Sequence, residues 1–212
     1  MPPLDTLLVF AGAAILIGIS PGPSNLYVMS RTIAQGRRGG LVAAAGLAAG
    51  SLVHVAAAAL GLSAVFGLSP WAYTLLKLAG AAYLVWLGVQ MLRAPTGPAQ
   101  ARRALPAKSP RAIFRESVLV EVTNPKTALF FLAFLPQFVD PALGSVAVQL
   151  LLLGAFTTIV AVPCDLVVIL LADRAARALA RSERLRGILD RASGGVMVGL
   201  GVWVAVADRA RV

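Results

Sequence analysis

Four polar side chains stand in stretches that are otherwise apolar: Asn25, Glu121, Lys126 and Asp165. Two carboxylates, an ammonium and an amide can together hold a zwitterion. The carboxylates can also bind a small amine, or take up and release a proton. Ionisable groups inside a membrane-spanning segment are costly and mark a functional site by default. Two proline motifs lie beside them, Ser20-Pro21-Gly22-Pro23-Ser24-Asn25 and Thr123-Asn124-Pro125-Lys126. Proline removes a backbone donor and clashes with the carbonyl one turn earlier. Carbonyls near Ile17 and Glu121 are therefore expected to be free to hydrate or to receive an ammonium. A helix restarting at Pro23 presents unpaired N–H groups of partial positive charge, suited to a carboxylate. The ligand-binding set read this way is Pro21, Gly22, Pro23, Asn25, Glu121, Asn124, Pro125, Lys126 and Asp165. No residue receives a catalytic, cofactor-binding or metal-binding role.

Each of these residues also has a plainer reading. The proline motifs can be structural kinks without a ligand. Glu121 can pair statically with Lys126 or with a cytoplasmic arginine. Asp165 can hydrogen-bond to neighbouring helix backbone. Lys126 is more often an ion-pair partner than a ligand. His54 among alanines and valines reads as packed and hydrogen-bonded, Cys164 as a small packing residue, and Lys77 as snorkelling. Arg37 and Arg38 read as fixing topology.

The elements that must position these groups follow from composition. Of 212 residues, 58% are hydrophobic and 13% charged, against roughly 25% charged in a soluble domain. The chain reads as an all-α integral membrane protein, of a length suited to six helices of about 20 residues. The spans fall at about 5–30, 41–67, 71–92, 116–138, 145–172 and 192–207, the first and fourth broken by the proline motifs. Backbone breaks in lipid are tolerated only where protein or a watery cavity satisfies the freed groups. A polar turn at 31–40 follows the first span. Trp71 and Tyr73 are placed as interface aromatics, and residues 174–191 read as a short amphipathic helix on the membrane surface.

The formal net charge is +10. Its basic residues sit in short loops between apolar spans, which fits the positive-inside rule better than a nucleic-acid partner. Arg31, Arg37 and Arg38 follow span one. Arg93, Arg102, Arg103, Lys108, Arg111 and Arg115 follow span three. Arg174, Arg177, Arg181, Arg184, Arg186 and Arg191 follow span five. The other side has only Arg209 and Arg211. The odd loops are thus expected in the cytoplasm and both termini outside, unless span one is re-entrant. The first residues lack the basic region of a cleaved signal peptide, so span one is expected to be retained. One cysteine excludes a disulfide framework, and one histidine argues against an imidazole–thiolate metal site.

The halves resemble each other. Leu76-Lys77-Leu78-Ala79-Gly80 and Leu87-Gly88-Val89 match Leu189-Asp190-Arg191-Ala192-Ser193 and Leu200-Gly201-Val202, at one constant offset. The chain is read as one domain over 1–212: a repeat at about 1–92, a cytoplasmic loop at about 93–115, and a repeat at about 116–212. Three spans per half make the second half inverted, an arrangement that supports alternating access. At about 1.5 Å per residue, Asn25, Glu121, Lys126 and Asp165 lie about 8–15 Å below the cytoplasmic boundary. The two proline motifs fall at that depth. Gly46-x-x-x-Gly50 and Gly195-x-x-x-Gly199 are small-residue contact faces. They suit a homodimer, and equally contacts within one protomer.

The stretch Gly18-Ile19-Ser20-Pro21-Gly22-Pro23, followed by Gly36-x-x-x-Gly40, resembles the N-terminal signature of the LysE/RhtB-type amino-acid exporters, the bacterial lysine exporters and homoserine/threonine efflux proteins. Asn124-Pro125-Lys126-Thr127-Ala128 running into Phe130-Phe131-Leu132-Ala133-Phe134-Leu135-Pro136-Gln137-Phe138 is a second match. The resemblance covers nearly the whole chain. It implies a bacterial inner-membrane secondary transporter that exports amino acids, driven by the proton gradient. The Pro-Gly-Pro-Ser-Asn version leans towards neutral substrates such as homoserine or threonine, while Glu121 and Asp165 also suit a basic one. The alternatives are an exporter of heavy-metal cations or other small amines, and a membrane component without transport. An intramembrane enzyme would need a nucleophile and base in reach. Only Ser51 and His54 are spaced for that, so the chain is not read as an enzyme.

Overall fold

A computed structural model describes residues 4–20, 22–68, 70–93, 106–181 and 183–206. Among them the chain is helical, with no strand. The helices are α1 (Leu4–Ile19), α2 (Pro23–Leu68), α3 (Pro70–Arg93), α4 (Pro110–Val122), α5 (Pro125–Leu129), α6 (Val146–Arg181) and α7 (Glu183–Val206). After α5 the backbone winds through a π-helical stretch, Phe130–Phe134, and a 3-10 turn, Leu135–Phe138. Three stretches are long and apolar enough to cross a membrane: Pro23–Leu62, Val146–Ala172 and Gly187–Val206. A fourth results if Pro110–Val122 and Pro125–Phe138, bent by 47°, form one broken span.

The 40 residues of Pro23–Leu62 would reach about 60 Å as one straight helix, twice the hydrocarbon core of a bilayer. They do not run straight. Gln35 (φ −135°, ψ 18°) and Gly36 (φ 70°, ψ −173°) leave helical geometry, and α2 folds back on itself there. Gly40 lies against the Thr32 side chain, one turn to either side of the break. The two arms then run alongside α4 in opposite directions. Tyr27 and Gly46 both reach the stretch of α4 from Ile113 to Ser117, while Ser24 and Gly50 both meet Glu121. The polar turn expected over 31–40 is thus only two residues long. Gly36 makes it that tight, because its backbone conformation is open essentially to glycine alone.

Gly46 and Gly50 are consumed inside the protomer: a Cβ on Gly46 would lie 2.5 Å from Phe114 O, and one on Gly50 2.9 Å from Val118 O. Gly195 and Gly199 have no described neighbour within 4 Å. The α3–α7 contact is reciprocal. Gly88 packs on Gly194 O and Val198, while Gly201 packs on Ala81 O and Val85. Each residue of the first set matches one of the second at the same offset of 113 positions that relates the two sequence halves. Such close approach suits a bilayer, where helices associate through van der Waals packing between small residues.

Phe10 of α1 sits in an aromatic core with Phe130, Phe134 and Phe138, all buried, and Trp203 of α7 closes it against Phe134 and Phe138. Large aliphatics such as Leu75, Ile159 and Leu170 point outwards, as a lipid-facing surface requires. The basic stretch at 174–191 does not form a separate helix. Its first part continues α6 to Arg181 and its last part begins α7, with Ser182 outside the described residues. Pro21, Tyr73's side chain, and Arg102, Arg103, Arg209 and Arg211 also lie outside them.

Candidate functional site

The polar residues meet where α1 ends and α5 begins. α1 stops at Ile19, leaving the carbonyls of its last turn without helical partners. Two side chains take them up. The Lys126 ammonium donates to Ile17 O (3.0 Å) and Ser20 O (2.8 Å), and the Asn25 amide donates to Gly18 O (2.9 Å) and Ser20 O (3.1 Å). The carbonyl near Ile17 does receive an ammonium, but it is the protein's own. Gly22 gives it room: a Cβ there would lie 3.1 Å from Lys126 Nζ. Pro23 is the first residue of α2, where its missing N–H costs nothing.

The second break is built the same way. Asn124 caps α5, its side chain accepting from Lys126 N–H (3.0 Å), with Pro125 at the first helical position. The Asn124 amide donates to Ser24 Oγ (2.8 Å), and the Ser24 hydroxyl donates to the Glu121 carboxylate. Glu121 O accepts from Asn124 N–H (3.0 Å) and from His54 Nε2 (3.0 Å), whose ring stacks on Phe131. Glu121 therefore pairs with Ser24, and no salt bridge within 4 Å joins it to Lys126 or to an arginine among the described residues. His54 is engaged with backbone and Ser51 with Thr158 (3.1 Å), so these two do not form a nucleophile–base pair.

These groups line a cavity of about 70 Å³, enough for several waters. Asn25, Glu121, Asn124 and Lys126 form one side, and α6 supplies Thr157, Thr158 and Asp165. Asp165 is 8% exposed and has no hydrogen bond or salt bridge among the described residues. The backbone partner considered for it from sequence is not among them.

Sequence reasoning missed three contributors. Ser24, between Pro23 and Asn25, bridges the two breaks. Pro163 sits inside α6, two residues before Asp165, and the proline argument applied to the other two helices would have flagged it. Arg31, counted only as a loop charge, is 3% exposed and belongs to a second polar cluster. There Glu116 accepts from Tyr27 OH (2.8 Å), pairs with Lys108 and faces Arg31 Nη2 at 3.6 Å. Gln35 clamps the Lys108 backbone from both sides, at 2.8 and 3.0 Å. The segment at Lys108, just before α4, is thereby tied to the tip of the α2 hairpin.

Membrane-length helices with lipid-facing aliphatics, packed around a cavity lined in part by buried polar side chains at two interrupted helices, are the arrangement expected of a membrane transporter. Comparison with known proteins gives the family. Residues 2–208 match the model of the LysE type translocators, and the chain belongs to that family. It is 34% identical over 199 residues to a homoserine/homoserine lactone efflux protein of Salmonella typhimurium, covering 92% of this chain and 93% of that protein. It is 34% identical over 203 residues to a membrane protein of Vibrio cholerae (94% and 96%) and, over 137 residues, to a leucine efflux protein of Klebsiella pneumoniae (65% and 64%). No solved structure matches the chain.

Proposed function

We propose that this translocator exports small amino acids, neutral ones of the homoserine or threonine type foremost, from the cytoplasm across a bacterial inner membrane. The observation that carries the reading is the buried cavity where the ends of α1 and α5 meet Asp165 of α6. The relatives' efflux activities and the family membership support it. Substrate sits among Gly22, Pro23, Asn25, Glu121, Asn124, Pro125, Lys126 and Asp165, with Pro21 completing the first motif. Protons are the coupling ion, exchanged at Asp165, the carboxylate with no fixed partner.

Transport proceeds by alternating access of two inverted three-helix repeats. The matched packing of Gly88 and Gly201 supports that symmetry. The odd loops face the cytoplasm, which places the Arg31–Glu116–Lys108 cluster on that side. A homodimer would use the Gly195-x-x-x-Gly199 face, which no described residue of the chain covers. Among the described residues no three His, Cys, Asp or Glu side chains come together, so nothing there favours heavy-metal export.

The test is efflux from cells preloaded with mixed amino acids. The wild type is expected to lose one or a few selectively. Collapse of the proton gradient, or Asp165→Asn in a well-expressed variant, abolishes that loss. Cells that retain every amino acid an empty-vector strain retains would refute the reading.

A further inference from the structure

The helical hydroxyls of this chain share a habit. Thr32, Thr123, Thr157 and Thr158 each donate to the backbone carbonyl four residues earlier, at 2.8, 2.7, 2.9 and 3.1 Å. Ser117 and Ser193 do the same. Within lipid no water offers an alternative, so this back-bonding is the default. Thr127 is an exception. The residue four positions before it is Thr123, on the far side of the second break. α4 ends at Val122, and Asn124 stands in extended backbone (φ −73°, ψ 109°) before α5 begins at Pro125. The carbonyl that would take the hydroxyl belongs to another helix end, and Thr127 Oγ1 has no hydrogen-bond partner among the described residues.

Thr127 lines the cavity. The other hydroxyls on the wall are committed: Ser24 to Glu121, Thr157 to Leu153 O, Thr158 to Gly154 O, and Ser51 with Thr158. Ser20 Oγ is also buried without a partner, but Ser20 is not on the cavity wall. Three and four residues beyond Thr127 stand Phe130 and Phe131, both buried and both lining the cavity. Neighbours at that spacing share a helix face. This wall thus offers two aromatic rings and one neutral hydroxyl, while the Lys126 ammonium turns away to the α1 carbonyls.

The charges of Glu121, Lys126 and Asp165 and the N–H groups that open α2 suit the ammonium and carboxylate that every amino acid carries. A hydroxyl that both donates and accepts, set beside aromatic carbon, suits a neutral polar group on a short apolar stem.

We infer that Thr127 is a specificity residue: it hydrogen-bonds a hydroxyl on the substrate's side chain, and so favours hydroxylated amino acids over apolar ones of the same shape. This rests on the reading of the chain as an amino-acid exporter. An apolar isostere leaves the Thr127 hydroxyl unpaired in a closed site, and that unpaired group is the source of discrimination.

The experiment is thermal stabilisation of the purified full chain in detergent by two isosteric pairs, threonine with valine and homoserine with norvaline, beside glycine, alanine, leucine and lysine. The wild type is expected to bind the hydroxylated member of at least one pair about three- to tenfold more tightly, the worth of one neutral hydrogen bond. Thr127→Val and Thr127→Ala should bring that ratio to about one by weakening the hydroxylated member, and Thr127→Ser should keep it. The melting temperature of each unliganded variant reports its folding. The inference is overturned, and the exporter reading left standing, if the wild type binds both members of each pair alike, if only amino acids outside the pairs bind, if the valine and alanine variants keep the ratio, or if they weaken both members equally. If no amino acid of the panel stabilises the wild type, the exporter reading falls and the inference with it.

Discussion

Lys126 and Glu121 flank one helix break five residues apart, yet they do not pair. The ammonium turns to the last carbonyls of α1, and the carboxylate turns to Ser24 at the start of α2. The ammonium thereby satisfies the end of α1, and the carboxylate fixes the Ser24 hydroxyl in the first turn of α2. In lipid such free backbone and hydroxyl groups have no water to fall back on. The pair acts as an internal zwitterion that holds the broken helix in register.

Removing the ammonium therefore has a structural cost. Lys126→Met deletes two charged hydrogen bonds, each of a kind worth about 1.5–3 kcal/mol. Asn25 still serves Ser20 O, but Ile17 O is left bare. The expected loss of stability, about 2–4 kcal/mol, is measurable by thermal unfolding in detergent. A variant as stable as the wild type would show that the carbonyls find another donor.

The α3–α7 contact makes a paired test. A Cβ on Gly88 would lie 2.6 Å from Gly194 O, and one on Gly201 2.8 Å from Ala81 O. Backbone cannot yield as a flexible side chain can, so Gly88→Ala and Gly201→Ala should each destabilise by about 1–3 kcal/mol. Gly195→Ala, with no described neighbour within 4 Å, should be neutral or gain up to about 1 kcal/mol of helix propensity in the monomer. Unequal losses at Gly88 and Gly201 would count against the symmetric packing.

Gly36 tests the hairpin. Its φ of 70° combined with ψ of −173° is not the left-handed helical conformation that asparagine tolerates. Gly36→Ala and Gly36→Asn should therefore both cost about 1–3 kcal/mol. Rescue by asparagine would mean that the turn is of another type.

The polar cluster beside the hairpin tip offers a protease test. Lys108 is held by Gln35 through its backbone and by Glu116 through its side chain. Gln35→Ala and Glu116→Gln should each speed tryptic cleavage after Lys108, because a segment must open locally before a protease can cut it. Cleavage is expected in inside-out vesicles and not in right-side-out ones. The reverse pattern would invert the proposed orientation.

Much of this architecture was legible in the residues themselves. The interruptions at Pro23 and Asn124-Pro125 could be read because proline acts on its own turn of helix. The polar character of Asn25, Glu121, Lys126 and Asp165 stood out against apolar neighbours. The two-residue turn at Gln35-Gly36 was harder to see, because the surrounding arginines and glycines suggest a longer loop. The α6–α7 boundary was likewise blurred, since basic residues that end one helix and open the next look like one amphipathic unit.

The sequence by itself determined the membrane character of the chain, the positions of its breaks and the small set of buried polar groups. All three are properties of short stretches, set by hydropathy and by local backbone chemistry. Only the tertiary structure decided who partners whom. Ser24 reaches Glu121 across 97 positions, and Lys126 reaches Ile17 across 109. Several carbonyls and carboxylates lay within plausible reach of each donor at similar depth. The choice among them depends on how α1, α2 and α5 approach one another, which glycines such as Gly22 and Gly50 permit and no local pattern specifies. Those approaches left Asp165 as the one buried carboxylate of the site without a partner among the described residues.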